Sequence, residues 1–480
     1  MADVVRSLAG VAGLLADVVG HSEVLTGAEI SPDYSHDEAL GTDAVVPVAV
    51  VRPGTTSEVA RVLQIASERR IPVTARGSGT GLSGGAIPES RGLLVSFERM
   101  NKILEIDTDN HVAVVQPGVT LQQLNDALEP HGLVYPVFPG EASASLGGNV
   151  ATNAGGMRAV KYGVTRHHVL GLEIVLPDGT VMRTGGKFVK SSTGYDLTQL
   201  VVGSEGTLAL VTEVTVKLHH KPAHQVTAVA PFGSLDEVTH AVPVIVGSGL
   251  GPVVLEYIDA ISMSAITSSA GLDLAVPPEV KDKALAYLVV VLENDHTVRL
   301  DEDTESLATS LSELGAIDVY VLPPQAGRQL IEARERAFFV ARASGVNDIV
   351  DVVVPRSSVA AYMSAVADLA AEHQAFMTGC GHVGDGNVHL SVFQPDPDVR
   401  ERLLHALFER SMALGGAISG EHGVARAKKK HYLELEDPSK LALLRRIKAA
   451  FDSERILAPA NTLFEDATDP GSDDTRGYVG

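Results

Sequence analysis

Between about residues 45 and 220 the apolar positions fall in short Val/Ile-rich runs separated by helical stretches and glycine-rich loops. VVPVAVVRP (45–53) and IPVTAR (71–76) predict strands. TTSEVARVLQIASERR (55–70) predicts the helix between them, with a threonine/serine start and basic residues in its last turn. LQQLNDALEPHG (121–132) predicts a short helix, and GLEIVLPDGTVMRTG (171–185) a hairpin turning at Asp178–Gly179. From about 222 the pattern becomes strand–helix–strand, twice: QVTAVAPF, SLDEVTHAVPVIVGSG and PVVLEYID, then LAYLVVVLE, DTESLATSLSELG and DVYVL. That is the split order of a ferredoxin-like antiparallel sheet. LHALFERSMALGG and KLALLRRIKAAFDSE carry helical periodicity near the end of the chain. The pattern predicts an α+β protein divided as 1–44 (helical), 45–220, 221–425, 426–465 (helical) and a disordered tail, 466–480.

Composition narrows the function. With 38 basic and 60 acidic residues, a formal net charge of −22 argues against nucleic acid and against adsorption to anionic membranes. No apolar run reaches membrane-spanning length, and MADVVRSLAGVAGLLADVVG (1–20) reads as an amphipathic helix, not a signal peptide. One cysteine, Cys380, excludes a disulfide within the chain and suits the cytoplasm. It also excludes a cysteine-ligated iron–sulfur cluster, so any electrons leave through a diffusible acceptor or a partner.

Three glycine-rich tracts stand out. In ARGSGTGLSGGAIP (75–88), residues 79–84 match G-x-G-x-x-G, but Gly85, Pro88 and a strand follow where a dinucleotide fold needs a helix. What remains is a strand, ending at Arg76, running into Gly77, Ser78, Gly79, Thr80, Gly81 and Ser83, able to turn successive amides toward an anion. The second, PGEASASLGGNVATNAGG (139–156), is nearly all small residues. Pro139, Gly140, Gly147, Gly148, Gly155 and Gly156 leave backbone bare, while Ser143, Asn149, Thr152 and Asn153 offer polar groups. The third, VGSEGTLALVTEVTVKL (202–218), turns at Glu205–Gly206 and enters a strand through Val211. Together they can bind a long, flat, phosphorylated ligand.

GHVGDGNVH (381–389) supplies different chemistry. A hairpin turning at Asp385–Gly386 pairs 384 with 387, 383 with 388 and His382 with His389, beta carbons about 5 Å apart. Two facing imidazoles suit a metal ion, and Glu421 in SGEHGV (419–424) is the candidate third ligand, for zinc or another divalent first-row ion. The basic run AKKK (427–430) reads as a solvated face in preference to a site for an acidic partner.

RGSGTGLSGG, PGEASASLGGNVATNAGG and GYDLTQLVVGSEGTLALVTEVTVKL resemble the three flavin segments of the vanillyl-alcohol-oxidase type of FAD-binding domain. GHVGDGNVH and SGEHGV are similar to the signatures of the FAD-linked oxidase C-terminal domain in the glycolate oxidase, (D)-lactate dehydrogenase and (D)-2-hydroxyglutarate dehydrogenase group. The resemblance implies noncovalent FAD, because Gly77 and Ser78 stand where tethering relatives place histidine or cysteine. It implies His382, His389 and Glu421 as ligands of zinc (manganese or iron as alternatives), His422 as base and Arg334 as substrate arginine. A (D)-2-hydroxy acid would be oxidised to the 2-oxo acid. Phe338, Ile349 and Ser391 replace the threonine, lysine and asparagine of the 2-hydroxyglutarate branch, favouring a lactate-like monocarboxylate. Ala425 stands where the group usually has glycine. The resemblance implies an external electron acceptor: a quinone, an electron-transfer flavoprotein, a cytochrome or an iron–sulfur partner subunit. A homodimer, and peripheral membrane association through a partner, are compatible with it. Rival readings are a non-redox flavoenzyme, a metal hydrolase and a noncatalytic flavin subunit.

Overall fold

A computed structural model describes residues 2–461; the tail 466–480 and the last residues of the predicted C-terminal helical segment lie outside them. The first body contains two sheets. In the four-stranded one the order is Val24–Thr26, Ala49–Val51, Leu93–Ser96, Val73–Arg76, the last three parallel. The helix Thr56–Glu68 starts as predicted, with the Thr55 hydroxyl accepting from Glu58 N, and its Val59, Val62, Leu63 and Ala66 are fully buried. The N-terminal helix Ala2–Val19 joins that core through Val11, Leu15, Ala16 and Val19. The second sheet is antiparallel, in the order Ile103–Asp107, Val112–Val115, Leu210–Lys217, Val169–Val175, Val181–Gly185. The predicted hairpin closes it; Gly179 takes φ 84° and its N–H donates to Leu176 O.

The second body is a seven-stranded antiparallel sheet. Its first four strands run Tyr320–Val321, His224–Phe232, Ala286–Asn294, Val254–Asp259, which is the ferredoxin-like order. The helices Leu235–Gly247 and Thr297–Glu313 cover one face, burying Val238, Val242, Leu307 and Leu311. Three further strands, Phe376–Gly381, Asn387–Phe393 and Asp348–Val353, extend the sheet beyond that unit. The acidic residues of Asp348–Val353 interrupt its apolar run, which hides the strand in the sequence.

Two expectations change. The hairpin of GHVGDGNVH pairs Cys380, not His382, with His389. The strands stop at Gly381 and Asn387, and Asn387 N donates to His382 O across a longer loop. Glycine at 384 and 386 relaxes that loop, whereas a two-residue turn would have kept the tighter register. AKKK is not wholly a solvated face: in the helix Ala425–Leu435, Lys428 is buried, while Lys430 pairs with Glu401 at 2.7 Å. At about 100° per residue, neighbouring lysines cannot share a helix face.

After the helix Pro438–Phe451 the chain returns to the first body, where Val73 N donates to Ile456 O and Ala458 N to Val73 O. Lys448 secures this return. Its buried ammonium donates to Asp452 Oδ2 (2.5 Å), Thr207 O (2.5 Å) and Leu457 O (2.9 Å). Lys448→Ala leaves the Asp452 carboxylate buried without its cation, and urea unfolding should register a loss of about 3–5 kcal/mol. A loss below about 1 kcal/mol would show that this clasp does not matter.

Candidate active site

The three glycine tracts meet where the two bodies join. A Cβ at Gly77 would lie 2.0 Å from Ser145 Oγ, and one at Gly147 2.6 Å from Pro117 Cβ, so only glycine lets these segments cross. Gly203 N donates to Val150 O and Glu205 N to Ala151 O, joining the third tract to the second. Gly206 lies against Ala75 of the strand leading into the first. Part of the second tract is a helix, Leu146–Thr152, which composition alone did not suggest; the Ser145 hydroxyl caps it and Asn153 ends it at φ 55°. Asn149 Nδ2 is buried without a hydrogen-bond partner. An orphan donor beside bare backbone fits the polar edge of a flavin or its phosphates.

Other predicted flavin residues hold protein. Arg76 donates to His36 O at 2.6 Å, Ser83 Oγ to His422 O at 2.9 Å, and Ser143 Oγ to Glu141 Oε1 at 2.7 Å. Thr152 Oγ1 donates to Gly148 O, and Asn153 Oδ1 accepts from Arg166 N. Glu205 accepts from Val424 N (2.9 Å) and Ala425 N (3.2 Å). Burial raises the Glu205 pKa against the lowering effect of those amides. Val211 packs half-buried against the core of the first body, and Ser78 is exposed.

His382, His389, Glu421 and His422 converge on the same junction, and a Cβ at Gly155 would lie 2.8 Å from Glu421 Oε2. Glu421 Oε1 is 3.2 Å from His382 Nε2 and 3.3 Å from His389 Nε2, and the two rings sit 4.9 Å apart. Despite the shifted register the imidazoles meet, because a slip of two keeps them on one face as diagonal neighbours. The His382 Nδ1 faces Glu256 Oε1 at 2.5 Å, which directs Nε2 toward Glu421. A carboxylate behind a histidine is how metal-ligating rings are oriented, so the donor set fits a divalent ion.

Burial opposes charge on all these groups, but their partners outweigh it at several. Glu256 and Glu421 hold His382 well above the usual imidazole range, and the two histidines hold Glu421 well below the carboxylate range. At His422 burial wins, lowering its pKa to about 4 against the pull of Asp351. Its Nδ1 lies 3.7 Å from Asp351 Oδ2.

Arg334, on the helix Pro324–Glu335, is buried and pairs with Glu256 Oε2 at 2.8 Å, while its Nε has no partner. The cavity before it has a volume of about 90 Å³. Leu82, Pro139 and Gly140 bound it on the side of the glycine tracts; Phe338, Ile349 and Ser391 complete its wall. A larger cavity, about 270 Å³, shares Leu82, Phe338, Ile349 and His422 with it.

Glu256 and Asp351 escaped sequence reasoning. Each is a fully buried carboxylate in an otherwise apolar strand, PVVLEYID and DIVDVVV, and that misplaced charge was the available signal.

The fold is that of vanillyl-alcohol-oxidase-type flavoproteins. The chain superposes on 4-ethylphenol oxidase from Gulosibacter chungangensis with TM-score 0.77, at 18% identity, covering 96% of this chain and 98% of that one. For p-cresol methylhydroxylase the TM-score is 0.76 at 20% identity, covering 95% and 97%. Residues 47–185 match the FAD binding domain, and residues 221–462 match the domain described as FAD linked oxidases, C-terminal domain. The chain belongs to the FAD-linked oxidase family and is an FAD-linked oxidoreductase of its glycolate oxidase subunit and D-lactate dehydrogenase branch. It is 55% identical over 444 residues to an uncharacterized FAD-linked oxidoreductase of Mycobacterium tuberculosis, covering 92% of this chain and 97% of that one. The glycolate oxidase subunit GlcD of Bacillus subtilis is 39% identical (90% and 92% covered), and the D-lactate dehydrogenase of Archaeoglobus fulgidus 37% (90% and 96%). Among the described residues no helix is long and apolar enough to cross a membrane.

Replacing Asp351 tests what holds the site. Asp351→Asn strands Lys428 as a buried cation, and stability should fall by about 3 kcal/mol or more in urea unfolding. An unchanged midpoint would mean the carboxylate is not what fixes the loop.

Proposed function

We propose that the chain oxidises a small, lactate-like (D)-2-hydroxy acid to its 2-oxo acid, using noncovalent FAD and a divalent metal held by His382, His389 and Glu421. The observation that carries this reading is one cavity bounded at once by the first two glycine tracts, the imidazole pair and a buried arginine. Relatives named as a glycolate oxidase subunit and a D-lactate dehydrogenase support the reaction class. When bound, FAD supplies a two-electron acceptor and the ion, zinc or alternatively manganese or iron, supplies Lewis acidity toward an oxygen.

The chain's own residues do the rest. Arg334, which lines the cavity, offers its guanidinium to the substrate carboxylate. His422 is neutral near pH 7; with Nδ1 turned to Asp351, its Nε2 takes the hydroxyl proton. Phe338 and Ile349 exclude water and set the size limit. Among the described residues lining the cavity, Arg334 is the sole arginine or lysine, and Glu256 already engages it. A second substrate carboxylate within this 90 Å³ space would be desolvated beside Phe338 and Ile349, since Arg400, Arg426 and Lys428 line only the larger cavity. Reoxidation uses an external acceptor of the classes named above.

Anaerobic mixing with (D)-lactate should bleach the flavin, and His422→Ala should slow that reduction by about 10²–10⁴-fold. Reduction as fast as wild type would remove His422 from the role of base. Phe338→Thr combined with Ile349→Lys should move kcat/KM from (D)-lactate toward 2-hydroxyglutarate; a wild-type preference for 2-hydroxyglutarate would overturn the substrate assignment.

A further inference from the structure

Outside the cavity, the helices Pro397–Ala413 and Ala425–Leu435 bring three other metal-ligating side chains together. His405, His431 and Glu434 each present a ligand atom within 4.8 Å of the others. The two Nδ1 atoms are 3.3 Å apart, and Glu434 Oε2 is 3.4 Å from His405 Nδ1. A tetrahedral ion with bonds of about 2.0–2.1 Å spaces its ligand atoms by about 3.3–3.4 Å. Two of the three separations are thus already at the spacing such an ion requires, and the third lies within 4.8 Å.

The rings are held in place. His431 is 3% exposed, and its ring packs 5.1 Å from that of Phe408. Its Nε2 faces Glu401 Oε2 at 3.6 Å, and Lys430 holds that glutamate through Oε1 at 2.7 Å. A carboxylate on that side favours the proton on Nε2 electrostatically, which leaves the Nδ1 lone pair directed at His405. His431 and Glu434 are three apart on one helix, and Glu401 and His405 four apart on the other, so each pair shares a face. His405 and Glu434 are partly open to solvent, giving an ion its way in and a water a fourth position.

We propose that His405, His431 and Glu434 form a second divalent-metal site, zinc-like in chemistry, that clasps these two helices. It shares no residue with the 90 Å³ cavity, while His431 also lines the larger one. Its role is positional: Lys428, three residues before His431, holds Asp351 under the loop of Glu421 and His422.

The test uses full-length, FAD-loaded protein stripped with a chelator, reloaded with Zn²⁺ and desalted. Metal analysis should find two equivalents in wild type and one each in His389→Ala and His405→Ala. In the His389→Ala background, Zn²⁺ should raise Tm, and adding His405→Ala should abolish that rise. Glu434→Gln, at a partly exposed position, should weaken Zn²⁺ retention at least tenfold without unfolding the chain. Zinc content and Tm shift indifferent to His405→Ala would overturn the proposal. If His389→Ala lost no metal while His405→Ala did, the cavity ligands would be wrong and this site would stand.

Discussion

Asp351 is a carboxylate with no exposed surface, placed under the loop that carries Glu421 and His422. Ser419 Oγ (2.7 Å), His422 N (2.9 Å) and Glu421 N (3.2 Å) all donate to its Oδ2, and Asn387 Nδ2 (2.8 Å) to its Oδ1. Lys428 Nζ stands 3.4 Å away. Burial pushes its pKa up, but His422, Lys428 and His389 hold it well below the usual carboxylate range. A buried anion so surrounded cannot be moved cheaply, because every donor it releases would lose its partner in a water-poor setting. The loop is therefore pinned by charge, and the side chains that face the cavity inherit that fixity.

Glu256 does the corresponding work on another strand, aligning His382 with one oxygen and Arg334 with the other. Glu256, Asp351 and Glu421 are three carboxylates in one buried cluster, against Arg334 and Lys428 as permanent cations. The raised His382 pKa expresses the remaining demand for positive charge. The divalent ion proposed between His382, His389 and Glu421 would meet that demand without a proton on the imidazole.

Much of this was legible in the chain because its signals are local. Glycine crowding marked the tracts that pack backbone against backbone, helical spacing with caps marked Thr56–Glu68, and the doubled strand–helix–strand pattern marked the ferredoxin-like order. The H-x6-H spacing marked the imidazole pair even though the assumed turn was too tight, since a two-residue slip preserves which face a side chain occupies. The supports were harder to see. Glu256 and Asp351 act through partners far away in sequence, and Lys428 sits in a run whose composition reads as surface. Ala425 was noticed only as a departure from a usual glycine; its φ of 29° gives the reason, a backbone shape that side chains resist.

The same loop also belongs to the flavin side. Ser83 of the first glycine tract donates to His422 O, and its own carbonyl accepts from Arg426 N and Ala427 N. Glu205 of the third tract receives Val424 N and Ala425 N, placing a carboxylate at the start of the helix Ala425–Leu435, where its dipole favours negative charge. The glycine tracts and the loop that presents His422 are thus one hydrogen-bonded unit, with neither resting on a flexible linker. A misplacement of about 1 Å between reacting groups can cost about 10²-fold in rate, so under the proposed function a His422 that moved independently of the cofactor would lose the benefit of alignment. Side chains such as Ser83 and Glu205 contribute by holding protein to protein, because the distance between the two bodies is what the chemistry must find already set.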